Sequence, residues 1–160
     1  MKKKINVALI YRQCETLTKD HYYTYIYHFF MNALKRNERI TITYYPTNEI
    51  FDIKEIKNDT DIILLAENGI TGDICMPNEI KNIEKIDIPV LTKIGDTHAM
   101  KKDEIKKNHE KHNITAYYGY QPEQDFRKYY GKKFKFKTVS IGLENTLYDS
   151  VSPFKNRIKS

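Results

Sequence analysis

An acid and an imidazole stand two residues apart in Gly95-Asp96-Thr97-His98, directly after Pro89-Val90-Leu91-Thr92-Lys93-Ile94. That run reads as a short buried strand. In an open α/β sheet, ligands bind in the crevice beyond the carboxyl ends of the strands. An Asp and a His at such a strand end are placed for acid–base work. The plainer reading is that Asp96 caps the next helix by accepting from free backbone N–H groups, with His98 at the surface. Two other strand ends carry polar groups. Arg12 and Gln13 follow the first apolar run and can reach a phosphate, or form a solvated loop. Glu67-Asn68-Gly69 follows another and can hydrogen-bond a hydroxyl, or form a polar turn.

Several chemistries are excluded by what these turns lack. Arg12-Gln13-Cys14-Glu15 contains no glycine, so a pyrophosphate cannot approach the backbone there as it does in dinucleotide-binding folds. No G-x-x-x-x-G-K-[ST] and no G-x-S-x-G occurs. A phosphoreceiver domain wants adjacent acids after its first strand, where this chain has Arg12-Gln13. Cys14 and Cys75 are the only cysteines and form no C-x-x-C pair. They predict neither a disulfide framework nor a metal site, and suit a reduced, cytoplasmic protein. His109 and His112 fall in a Lys-rich segment and are expected to face solvent.

The elements that must position these residues alternate between strand and helix along all 160 residues. Strands are expected at Lys4 to Tyr11, Arg39 to Tyr45, Thr60 to Ala66, Ile88 to Ile94, Asn113 to Tyr118 and Phe134 to Ile141. The last has the Phe-Lys-Phe-Lys alternation of a half-exposed edge. A helix is expected over Lys19 to Asn37, with Tyr22, Ile26, Phe29, Phe30, Ala33 and Leu34 on one stripe. Short helices are expected at Ile50 to Lys57 and from Pro77 to Glu84. A charged helix with few apolar anchors should run from His98 to His112, and another should open at Pro122. Such alternation predicts a Rossmann-like, open and mainly parallel sheet of about six strands with helices on both faces. No apolar run approaches the roughly 20 residues of a membrane helix.

In order along the chain, Tyr23-Thr24-Tyr25, Met31 to Arg36 and Thr41 to Pro46 come first. Gly95-Asp96-Thr97-His98, Tyr117 to Tyr120, Phe126 to Tyr130 and Val139 to Glu144 follow. Together they resemble the N-terminal half of group-1-like glycosyltransferases of the two-domain GT-B fold, especially the spore-maturation-type branch. The resemblance covers most of the chain through short motifs. It implies an N-terminal, acceptor-side domain over residues 1–147, and a tail over 148–160 like the start of an interdomain linker. It further implies a C-terminal domain that binds most of the nucleotide-sugar, which is a co-substrate and not a cofactor, and a sugar or glycan acceptor. Asp96 and His98 would then act at a sugar, and Gly142 and Glu144 would line the hinge side of the cleft. The family's proline before the terminal glycine is replaced here by Ser140-Ile141, and its glycines after the first strand are missing. Without the second domain, the resemblance implies an inactive hexosyltransferase half. The alternative is a flavodoxin-like, non-catalytic module that docks a protein or an anionic ligand.

The formal net charge of +6 invites a nucleic-acid reading. Arginine, the better reader of bases and phosphates, is scarce, and the lysines are spread along the sequence. Nucleic-acid binding is predicted to be weak, without sequence preference, and steeply lost with salt. Fluorescence anisotropy across a salt series checks this. Submicromolar, sequence-selective binding at physiological salt would overturn it.

Overall fold

A computed structural model of the protein describes residues 4–12, 34–66, 76–94 and 101–139. The expected α/β architecture is what these residues adopt. The strands are β1 (Ile5–Arg12), β2 (Ile40–Thr47), β3 (Ile50–Asp52), β4 (Ile62–Leu65), β5 (Glu79–Lys81), β6 (Val90–Lys93), β7 (Ala116–Gly119) and β8 (Phe136–Thr138). Helix α1 (Lys102–Lys111) joins β6 to β7, and helix α2 (Glu123–Tyr130) joins β7 to β8. Six strands form one sheet in the order β2-β1-β4-β6-β7-β8, with every neighbouring pair parallel. β3 and β5 form a separate, two-stranded parallel sheet. Among the described residues, no helix is long and apolar enough to cross a membrane.

The pleat divides the core in two, because successive strand residues point to opposite faces. Ala8, Ile10, Ile63, Leu65, Val90, Tyr117 and Phe136 lie on one face, together with residues of the minor sheet and of both helices. Val7, Leu9, Leu64 and Tyr118 lie on the other, where Leu34 packs. Residues 34–36 are helical and end in a turn in which Asn37 N–H donates to the Leu34 carbonyl (3.1 Å). Helical residues therefore flank both faces. The rest of the stripe expected between Tyr22 and Ala33 lies outside the described residues.

α2 is amphipathic as its sequence requires. Phe126 stacks on Phe136 at 4.1 Å between ring centroids, and Tyr130 packs beside it at 5.0 Å. Pro122 precedes the helix and Gly131 ends it, at φ 91° and ψ 174°, a conformation open essentially to glycine alone. α1 is anchored differently. Ile105 is its one fully buried apolar residue, and the buried Tyr117 hydroxyl donates to the Ile105 carbonyl (3.3 Å). Asn113 then turns the chain in the left-handed region (φ 49°), and Ile114 N–H donates back to the His109 carbonyl (3.1 Å).

Three expectations need correction. The segments read as short helices at Ile50 to Lys57 and Pro77 to Glu84 are strands β3 and β5, each followed by one 3-10 turn, Ile53–Glu55 and Ile83–Lys85. Phe51 and Ile53 are buried at a spacing of two, and Phe51 pairs with Ile80 in register, so each segment is extended by the other. β2 runs through Pro46 to Thr47; a proline is tolerated because β2 lies at the sheet edge. His109 and His112 do not face solvent. With Ile105 they occupy positions i, i+4 and i+7 of one helical face, and that face meets the sheet. His109 is half-buried, against Tyr117 and Phe134. His112 is 2% exposed.

Burial pushes the His112 imidazole down to about 4, with Lys111 adding to the shift, and burial lowers His109 as well. A helix C-terminus favours a protonated histidine, but desolvation wins here. The neutral, buried His112 contributes stability that is complete above the unfolded value of 6.5 and is lost as pH falls towards 4. The loss over that window should be about 2–3 kcal/mol. Urea unfolding at pH 7 and pH 4.5 measures it, and His112→Leu should flatten the dependence. An equally steep pH dependence in that variant would assign the effect elsewhere.

Candidate functional site

Because all six strands are parallel, their carboxyl ends form one edge of the sheet. The candidate residues of the sequence follow those ends. Gln13 comes directly after β1, Glu67 and Asn68 just after β4, Asp96 and His98 after β6, and Gly142 and Glu144 after β8. These seven lie outside the described residues. Arg12 is described: it is the last residue of β1, half-buried, and in register with Thr47 of β2.

The strand order locates the crevice. From β1 the chain moves to β2 on one side, then crosses to β4 on the other. Connections leaving neighbouring ends in opposite directions open a gap between them, and ligands of doubly wound sheets sit in such gaps. Here the gap lies between Arg12 of β1 and Leu65–Ala66 of β4. The backbone closes up to it, with Ala66 N–H donating to the Ile10 carbonyl (3.0 Å). On the next strand, the buried Thr92 hydroxyl donates to the Ala66 carbonyl (3.1 Å) and fixes the end of β6 against the end of β4.

One functional candidate escaped the sequence reading. Lys93, the last residue of β6, is 4% exposed, and its Nζ lies 4.7 Å from the centre of the Tyr120 ring. A buried lysine is expensive to desolvate and is held by its surroundings. Its signal was present in the sequence. Val90-Leu91-Thr92-Lys93-Ile94 is a strand covered on both faces, and a lysine inside such a run breaks the pattern.

The end of β7 is stitched to both neighbours. Ile94 N–H donates to the Tyr118 carbonyl, and Val139 N–H to the Gly119 carbonyl, both at 2.8 Å. The Thr138 hydroxyl donates to the Gln121 carbonyl (3.0 Å). Gln121 Nε2 is buried without a hydrogen-bond partner among the described residues. The described strand ends carry three cations, Arg12, Lys93 and Lys137, and no carboxylate stands in the last two residues of any of the six strands. Asp59, Asp61 and Asp87 precede β4 and β6 instead, at the amino edge. Among the described residues, no three His, Cys, Asp or Glu side chains group to hold a metal ion.

No family model matches the chain, and neither the curated proteins nor the solved structures yield a match.

Gly119 makes the tight approach of β6 and β7 possible. A Cβ there would lie 2.7 Å from the Ile94 carbonyl oxygen and 2.8 Å from Gln121 Oε1. The glutamine can swing away, but the backbone carbonyl cannot without shifting β6. Gly119→Ala should cost about 1–3 kcal/mol through overpacking, read as a lower urea midpoint with an unchanged slope. An unchanged midpoint would mean that the end of β6 is free to move.

Proposed function

We propose that the chain is the acceptor-binding domain of a cytoplasmic glycosyltransferase that moves a sugar from a nucleotide-sugar to a sugar or glycan acceptor. The observation that carries this reading is the single edge formed by the carboxyl ends of the parallel strands: Arg12 closes one of them, and Gln13, Glu67, Asn68, Asp96 and His98 come after them in the sequence. The missing glycines after β1 are a departure from that family, and the nucleotide would be held by a partner domain. In the transfer, an acceptor hydroxyl attacks the anomeric carbon and the bond from that carbon to the nucleotide's phosphate oxygen breaks. The hydroxyl proton passes to a base. We assign His98 to polarise the hydroxyl, and Asp96 to orient His98 or receive the proton.

A second reading has its own observation. With the minor sheet set aside, the strand order is 2-1-3-4-5-6, the flavodoxin-like order extended by one strand, whereas the order typical of dinucleotide-binding Rossmann domains begins 3-2-1. That order suits a module with one ligand crevice, and such a module need not catalyse anything.

Calorimetric titration with nucleotide-sugars separates the two. Binding is expected once a C-terminal nucleotide-sugar domain is joined to the chain. The 160 residues by themselves should transfer no sugar, because most of the rate advantage lies in positioning donor against acceptor. Turnover by the 160-residue chain alone would contradict that division of labour. In the two-domain protein, His98→Ala should lower kcat by roughly 100-fold or more while leaving the melting temperature unchanged or slightly raised. Full transfer activity in that variant would return Asp96 and His98 to a capping role and favour the binding module.

A further inference from the structure

The positive charge is unevenly shared among the elements. Residues 101–139 hold ten lysines and one arginine against five carboxylates, a net +6. Residues 34–66 and 76–94, taken together, come to −1. All ten of those lysines are exposed. On α1, Lys102, Lys106 and His109 stand at i, i+4 and i+7 and so share one stripe. Two contacts fix what the stripe faces. Lys102 Nζ lies 5.5 Å from the centre of the Tyr129 ring, near the end of α2. His109 packs on Phe134, with ring centroids 5.0 Å apart. The chain between Tyr129 and Phe134 therefore runs beside the stripe, and it brings Lys132 and Lys133. The His109 imidazole is lowered by burial first and by the charge of Lys133 second, which places that ammonium beside α1. Lys102, Lys106, Lys132 and Lys133 thus border one seam between α1 and the turn after α2. Among the described residues none of the four makes an ion pair, and Glu110, four residues after Lys106, does not pair with it. Like charges gathered in this way repel, so folding alone does not call for them.

We propose that this seam docks the phosphate backbone of double-stranded nucleic acid through Lys102, Lys106, Lys132 and Lys133. The surroundings of the seam select that partner. A protein partner is held by aromatic or apolar anchors at the centre of its interface. The exposed large hydrophobic residues among those described are Tyr44 and Ile50, both outside residues 101–139. A single strand gains affinity by stacking its bases on aromatic rings, but Tyr129 is half-buried beneath Lys102 and Phe134 is buried. Base edges are read best by arginine, and Arg127 is paired with Glu123. What the seam offers is charge alone. A duplex answers it with a phosphate about every 1.7 Å of its axis. Contacts of this kind position a duplex without reading its sequence. The seam uses none of the residues assigned to sugar transfer, so that reading stands or falls separately.

The full 160-residue chain is titrated against a short, fluorescein-labelled DNA duplex, with anisotropy read from about 50 to about 200 mM salt. Binding should be micromolar at the lowest salt. The logarithm of affinity should fall against that of salt with a slope of about −3 to −4, the value for four phosphate contacts. Replacing both seam residues, Lys106→Gln with Lys133→Gln, should flatten the slope by about 2 and weaken low-salt binding roughly tenfold or more. Lys54→Gln with Lys57→Gln removes the same charge from outside residues 101–139 and should change affinity by less than about twofold. All four side chains are exposed, so both double variants should keep the fold. Equal weakening in the two would assign binding to dispersed net charge and overturn the seam. Absence of duplex binding at the lowest salt would do the same. Tighter binding of a single strand of the same length, or displacement of the duplex by polyglutamate of matched charge, would overturn the assignment to double-stranded nucleic acid.

Discussion

Val7, Ala8, Leu9 and Ile10 lose water on both faces of one strand while β2 and β4 take up its hydrogen bonds on both edges. A strand enclosed on four sides leaves the rest of the chain little choice. Both faces must be covered, so the connections leaving its neighbourhood go to opposite sides. The gap between β1 and β4 follows from that division, and so does the edge at which polar residues gather. Burying four such side chains contributes about 1.5–3 kcal/mol for each large one, which makes β1 the part of the sheet that tolerates change least.

Where side-chain periodicity matched a single element, the sequence was legible. The continuous apolar runs of β1, β4 and β6 announced strands covered on both faces, and the Phe-Lys-Phe-Lys alternation placed β8 at an edge, where it lies. Errors arose where one spacing serves two structures. Ile80 and Ile83 stand three apart, as on a helix, yet one belongs to a strand and the other to the 3-10 turn after it. No local signal separates these cases, because β5 is extended by its pairing with β3, some thirty residues earlier. His109 and His112 were misjudged for another reason. Lysines surround them in sequence, but their spacing from Ile105 sets the face they occupy, and polarity of neighbours says little about burial at a given helical angle.

The candidate site divides along similar lines. Motif reading found the segments that follow strand ends, because chemistry-bearing residue types stand out in turns. It passed over Lys93, although a lysine inside the apolar run of β6 breaks the pattern of a strand covered on both faces. The doubly wound sheet converts one kind of information into the other. Strand order says which ends are adjacent, and adjacency tells which side chains share an edge. In this protein the described ends of β1, β6 and β8 carry cations, and Asp59, Asp61 and Asp87 precede β4 and β6 at the opposite rim.

The minor sheet has a mechanical consequence. The connections from β2 to β4 and from β4 to β6 each place one three-residue strand in it, and neither strand could persist in isolation. Asp52 ties their turns together: one carboxylate oxygen accepts from Lys54 N–H and from Asn82 Nδ2, both at 3.0 Å. Asn113, at the end of α1, reaches the same place by donating to the Ile83 carbonyl (3.3 Å). Two crossovers and the end of a helix thus share one clasp. They are coupled as a single opening unit, so a fluctuation that frees either crossover exposes the amides of both, and hydrogen exchange across Phe51 and Ile80 should proceed in step.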